Sequence, residues 1–140
     1  MLKSILAVAA NRIIIDAKTQ QISIIDVFEG ISAHSFPIII PKLSFLFLLE
    51  KDIKDGDKKE LIFLYFIDEK KPFTFPTHVY FRGKKTTRAI IEFEGFMIPN
   101  HGKLTVKLQD GETVLDELYF DINQLDIPQP RIKDEHHDKA

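Results

Sequence analysis

The sequence predicts an all-β protein, a two-layer antiparallel β-sandwich of about eight strands. Its 140 residues fit one domain of ordinary size. The 12 phenylalanines, 3 tyrosines and many isoleucines favour strands, because aromatic and branched side chains suit a pleated, half-buried surface. Apolar runs of strand length recur at short intervals with turn residues between them, and no capped amphipathic helix interrupts them. We therefore expect a sandwich domain over residues 1–124 and a flexible C-terminal tail over residues 125–140.

The first two strands are predicted to form a hairpin. Within residues 4–16 the run from residue 5 to residue 15 is apolar apart from Asn11 and Arg12, which indicates one long or bulged strand. A polar turn then leads to a second strand at residues 21–28. Residues 1–10 also resemble a secretion signal, but their apolar core is shorter than the usual minimum of about 7 residues. We expect a strand there, and a cleaved signal is the alternative.

The middle of the chain carries the strongest strand patterns. A short strand at residues 31–34 is followed by Pro37 and Pro41, which predict a stiff crossover because proline cannot donate to a central ladder. Residues 43–50 and 60–68 are almost wholly apolar. The charged loop between them contains an Asp-Gly pair, so we predict that these two strands form one hairpin.

The last strands follow an irregular link at residues 69–76. Strands are predicted at residues 77–82 and 86–96, separated by a basic turn. The final two, at residues 103–109 and 112–122, meet at a second Asp-Gly pair, whose residues tolerate the positive φ of a tight hairpin turn.

The predicted hairpin of residues 43–50 and 60–68 is apolar on both faces. A strand with one solvent-exposed face should instead alternate between apolar and polar residues. Its second face predicts an interface, formed by Leu46, Leu48, Ile62, Leu64 and Phe66. The first functional hypothesis is therefore a non-enzymatic interaction or structural module that binds a protein partner or a second copy of itself, as in a homodimer. Internal cover by residues 73–75 or by the tail is the competing account.

The basic turn supports a second hypothesis. It contains four cations, Arg82, Lys84, Lys85 and Arg88, close to several aromatic residues. Such a cluster could bind an anion or single-stranded nucleic acid by charge and stacking. The formal net charge of −2 argues against nucleic acid, and a solvated turn whose aromatic neighbours point into the core is the simpler interpretation.

The sequence contains no recognisable catalytic motif. Cysteine is absent, no glycine lies in a phosphate-cradling loop, and no serine has the flanking glycines of a nucleophile elbow. The histidines could bind a metal only if the fold gathered His34, His78 and His101, or if His136 and His137 did so in the tail. We interpret all five as surface residues and expect no metal, no cofactor and no enzymatic activity. No apolar run approaches the roughly 18 residues needed to span a bilayer, so we expect a cytoplasmic protein.

Two stretches of the chain resemble a known family. They are residues 16–37, which lead from a strand pair to a Phe-Pro crossover, and residues 96–122, which close the domain with a Pro–Gly turn and a hairpin. This pattern is similar to an uncharacterised bacterial family of immunoglobulin-like sandwich domains. The resemblance implies an immunoglobulin-like fold and a bacterial source. It implies no catalytic or binding residues, because the family has no assigned activity.

Overall fold

The computed structural model describes residues 1–126, which form nine strands and no helix. The all-β prediction is therefore confirmed over this part of the chain. The strands are β1 Lys3–Ile15, β2 Ile22–Val27, β3 Gly30–Ala33, β4 Ile38–Glu50, β5 Lys58–Ile67, β6 Phe73–Tyr80, β7 Thr86–Ile98, β8 Gly102–Asp110 and β9 Thr113–Gln124. The predicted tail lies outside the described residues from residue 127 onward.

The strands form two sheets that pack against each other. Sheet A has the order β2-β1-β4-β7, and sheet B has the order β3-β9-β8-β5-β6. Every pair is antiparallel except β3 and β9, which run parallel. The purely antiparallel expectation is wrong for this pair, because β3 follows a strand of the other sheet and no hairpin sets its direction.

The predicted hairpin of residues 43–50 and 60–68 does not form. β4 lies between β1 and β7 in sheet A, whereas β5 lies between β8 and β6 in sheet B. The charged loop between them crosses from one sheet to the other. Both strands are strongly apolar because each occupies an interior position in its own sheet, not because they pair. The predicted hairpins β1–β2 and β8–β9 are confirmed.

The core lies between the two sheets and is rich in phenylalanine. Phe45 and Phe47 of β4 meet Phe63 of β5, with ring centroids 5.2 Å and 6.3 Å apart respectively. All three side chains are fully buried. Edge-on and tilted ring pairs of this kind add to the free energy gained from burial alone. The alternate residues of β4 and β5 therefore face away from the core.

A kink in sheet A exchanges the faces of β4. Pro41 lies opposite Gly95 of β7, whose φ of 80° is a backbone conformation that glycine adopts without steric cost. Before the kink Ile40 faces the core, and after it Leu43 does. An even-numbered position is thus buried on one side of Pro41 and odd-numbered positions on the other.

The hairpin of β1 and β2 crosses the outer face of sheet A. β1 pairs with β4 only as far as Ala10, and beyond that residue it pairs with β2 alone. At the far edge of sheet A, Ile15 and Gln20 line a cavity together with Thr87 and Arg88 of β7. We call residues 11–27 the arm. The arm therefore reaches from the β1 side of sheet A to its β7 side.

Candidate functional site

The structure does not bring the five predicted interface residues together. Leu46 and Leu48 face outward from sheet A, whereas Ile62, Leu64 and Phe66 face outward from sheet B. The two outer faces lie on opposite sides of the molecule. The separation follows directly from the absence of the β4–β5 hairpin.

Leu46 is covered from within the chain. It lies between Val8 of β1 and Ile90 of β7, and only 1% of its surface is exposed. Residues 11–15 of the arm line a cavity together with Ser44 of β4 and Glu92 of β7, so the arm lies over this outer face. The sequence predicts internal cover by residues 73–75 or by the tail as the alternative to an interface, and neither segment is the arm.

The outer face of β5 is shielded mainly by its neighbouring strands. Leu64 lies between Thr74 of β6 and Lys107 of β8, and 9% of its surface is exposed. The Nζ atom of Lys107 is 5.7 Å from the ring centroid of Phe66. The aliphatic part of a lysine side chain can cover apolar surface in this position while its charge stays in water.

The arm carries the most extended group of exposed apolar side chains in the described residues. Five of its branched side chains are between 36% and 53% exposed, namely Ile14, Ile15, Ile24, Ile25 and Val27. They point to both faces of the ribbon, because neighbouring residues of a strand alternate. The sequence predicts this hairpin but not the exposure of its apolar side chains. The signal that could have revealed it is the lack of polar alternation in both strands.

The outer edge of β2 has no partner strand in the described part of the chain. Natural edge strands are usually protected from pairing with another chain by charged side chains, by proline or by being very short. Edge strand β6 contains Pro76, edge strand β7 carries Arg88 and Glu92, and edge strand β3 is four residues long. β2 reads ISIIDV and has one charge, Asp26, near its end.

Three of the four cations of the predicted basic turn line one cavity. Arg82, Lys84 and Arg88 surround a space of about 360 Å³ between the tip of the arm and the start of β7. Tyr80 and Thr86 also line it, and no carboxylate does. Lys85 faces a separate cavity. The structure therefore assembles most of the predicted anion-binding cluster.

The backbone of the basic turn is held by Asp57. The Oδ1 atom of Asp57 accepts a hydrogen bond of 2.7 Å from the backbone N–H of Gly83. This bond, more than the nearby ammonium of Lys51, holds the pKa of the Asp57 carboxyl below its ordinary value. Arg82 and Gly83 both have positive φ values, which turn the chain sharply at this point.

The histidines of the described residues are dispersed. His78 Nε2 lies 3.1 Å from Glu60 Oε2, and His34 Nδ1 lies 3.1 Å from the carbonyl oxygen of Asp126. The ring of His101 packs edge-on against Phe36. Within residues 1–126 no group of three histidine or acidic side chains could hold a metal ion. The two tail histidines lie outside the described residues.

Within residues 1–126, no helix is long and apolar enough to cross a membrane.

The sequence model of a family of unknown function, DUF6941, matches residues 5–123. The expected likeness to an uncharacterised family is confirmed to that extent, and the match assigns no site. No curated protein matches the chain in sequence.

Proposed function

The chain belongs to the DUF6941 family of unknown function, and we propose that it is a non-enzymatic interaction module that pairs with a second copy of itself through the arm. The observation that carries the proposal is the unprotected edge of β2, beside the exposed apolar side chains of the arm. Backbone N–H and C=O groups along such an edge bind an added strand, and alternate side chains fit its surface.

The composition of β2 favours a second copy as the partner. A twofold axis lets one edge complement itself, and antiparallel pairing of two β2 strands places apolar side chains opposite one another. The only charge in the strand, Asp26, lies near its end, so full overlap keeps the two carboxylates apart. No like charges then oppose each other near the centre of the contact.

The stability of the arm gives a second reason for pairing. A two-stranded ribbon is marginally stable by itself in water. Joining two arms edge to edge makes a four-stranded ribbon and covers part of the exposed isoleucine surface. Each Å² of apolar surface removed from water contributes about 25 cal/mol before the cost of association.

Light scattering on a size-exclusion column, over a range of protein concentrations, tests this proposal. The wild type should be a dimer, and Ile25→Lys should give a folded monomer because a lysine at the edge opposes strand pairing. Ile53→Lys is the matched control, since Ile53 is 95% exposed in the loop between β4 and β5, outside the arm, and its replacement should leave the dimer intact.

A second variant keeps the test decisive if Ile25→Lys fails to fold. Val27→Lys replaces a side chain that is 53% exposed, so the domain should tolerate it. A wild type that stays monomeric at high concentration would contradict the proposal, as would dimers that persist in both arm variants.

We also propose that the fold is immunoglobulin-like. The pairing of β4 with β7 in one sheet and the order β9-β8-β5 in the other correspond to the B–E and G–F–C neighbours of immunoglobulin sandwiches. An experimental structure with a different strand order would contradict this assignment.

A bacterial source and a cytoplasmic location are parts of the same proposal. The stretch that most resembles a secretion signal supplies buried side chains, among them Leu2 and Ala9, to the core. Fractionation of cells that express the chain tests the location, and recovery from a secreted fraction would overturn it.

A further inference from the structure

We propose that the cavity lined by Arg82, Lys84 and Arg88 is a binding site for a small phosphorylated molecule. This inference goes beyond the proposed self-association, because it concerns the tip of the arm and the basic turn rather than the edge of β2. We call this space the basic cavity.

The first observation is the charge of the lining. Three cations surround the basic cavity without a carboxylate among them, and within residues 1–126 none of the three forms an ion pair. Like charges that converge in a concave site raise one another's energy and focus a positive potential there. An anion in the cavity relieves that repulsion.

The second observation is an unpartnered nitrogen. The Nη1 atom of Arg88 is buried, and it has no hydrogen-bond partner among the described residues. A buried donor that is left unpaired is costly, and in a native structure it calls for an explanation such as a bound ion or water. Because Nη1 itself is shielded from solvent, the contact of Arg88 with a ligand in the cavity is assigned to the other nitrogens of its guanidinium group. Arginine presents a fork of donors that fits two oxygens of one phosphate group.

The third observation is that the walls are positioned by the fold. Thr87 Oγ1 donates a hydrogen bond of 2.8 Å to the carbonyl oxygen of Tyr80, which joins the start of β7 to the end of β6. Asp57 holds the turn that carries Arg82, as described above. The arm supplies Ile15 and Gln20 as the remaining wall. The cations are therefore presented by secondary structure and a braced turn.

The size and surroundings of the cavity indicate the class of ligand. A volume of about 360 Å³ exceeds what one phosphate ion needs and lies near the lower end of small-molecule sites. Thr86 also lines the cavity and carries a hydroxyl group that can hydrogen-bond to a ligand's polar groups. A phosphomonoester fits these features. Nucleic acid fits less well, because the chain has a net charge of −2 and these cations converge on one cavity.

The test measures binding by calorimetry and the melting temperature of the full chain, with inorganic phosphate and glycerol 3-phosphate as probes. Both probes should raise the melting temperature, and glycerol 3-phosphate should bind more tightly. Arg88→Gln should weaken binding by about tenfold or more. Lys71→Gln is the matched control, because Lys71 is exposed and lies outside the cavity.

The outcomes separate the site from general attraction to cations. If Arg88→Gln does not fold, Arg82→Gln carries the test, since Arg82 is exposed and its loss should spare the fold. Equal weakening by Lys71→Gln would overturn the proposal, as would no binding of either probe. Tight, salt-sensitive binding of a single-stranded oligonucleotide without binding of either phosphate would replace it with a nucleic-acid site.

Discussion

Leu48 of β4 lies directly opposite Arg88 of β7 on the outer face of sheet A. From the sequence these residues belong to two different hypotheses, one for an apolar interface and one for an anion site. Both side chains are half-buried on this outer face, and Arg88 lines the cavity at the tip of the arm. The arm thus lies over the outer face of sheet A and closes a charged cavity at Arg88.

The full burial of Leu46 predicts a large effect on stability. Leu46→Ala should lower the free energy of unfolding by about 2–5 kcal/mol, the usual range for a buried leucine. Ile53→Ala should change it by less than about 0.5 kcal/mol, because Ile53 is 95% exposed. Urea denaturation followed by circular dichroism measures both. Equal, small effects would mean that Leu46 is not tightly packed.

The kink between Pro41 and Gly95 predicts a second effect on stability. Gly95→Ala should destabilise the domain by about 1–2 kcal/mol, because its φ of 80° is strained for any residue with a Cβ atom. The added Cβ would lie 3.8 Å from Ile39, so no clash contributes. Gly56→Ala is the control, since Gly56 has no positive φ and its Cβ would have room. A neutral Gly95→Ala would show that the kink does not depend on glycine.

The hydrogen bond from Gly83 to Asp57 predicts how stability depends on pH. The bond lowers the pKa of Asp57 below 3.8, so its contribution to stability is present above that pH and is lost as the pH falls through the lower, folded-state value. Asp57→Asn should therefore flatten the fall of melting temperature at acidic pH. Lys51→Gln should flatten this fall less, because the hydrogen bond from Gly83 lowers the pKa of Asp57 more than the ammonium of Lys51 does. A larger flattening of the fall in melting temperature by Lys51→Gln than by Asp57→Asn would contradict this assignment.

Pairing of β2 with a second copy predicts a change in hydrogen exchange. Amides of residues 22–27 should exchange more slowly at high protein concentration than at low concentration, because strand pairing protects the free edge. Residues 73–80 form the edge of sheet B and should exchange at the same rate at both concentrations. Mass spectrometry of peptic fragments measures this. Protection that appears only in β6 would place the self-contact on the other sheet.

Much of the local structure could be predicted from the sequence. Branched and aromatic runs predict strands, and the polar turn at residues 16–20 and the Asp-Gly pair at residues 110–111 correctly join neighbouring strands. The Asp-Gly pair at residues 55–56 wrongly predicts a hairpin, because its strands lie in different sheets. The alternation of Leu43, Phe45, Phe47 and Leu49 likewise predicts the core face of β4, because side chains of a strand alternate.

The candidate sites could be predicted only in part. The sequence predicts the basic turn as a cluster of cations. The burial of the unpartnered Nη1 atom of Arg88 depends on how the arm lies against β7, which no local pattern encodes. The predicted apolar interface was divided between two sheets. Its apolar character was read correctly, whereas its position depended on which strand pairs with which.

The sequence by itself therefore determined most of the strands, the hairpins β1–β2 and β8–β9 and the inward face of β4 after Pro41, since these follow from backbone preference and a period of two. Only the tertiary structure decided that β4 and β5 lie in different sheets, that β3 runs parallel to β9, and that the arm lies over the outer face of sheet A. The physical reason is that a turn joining two strands restrains only its immediate neighbours. Which sheet each strand enters depends on the burial of the whole core.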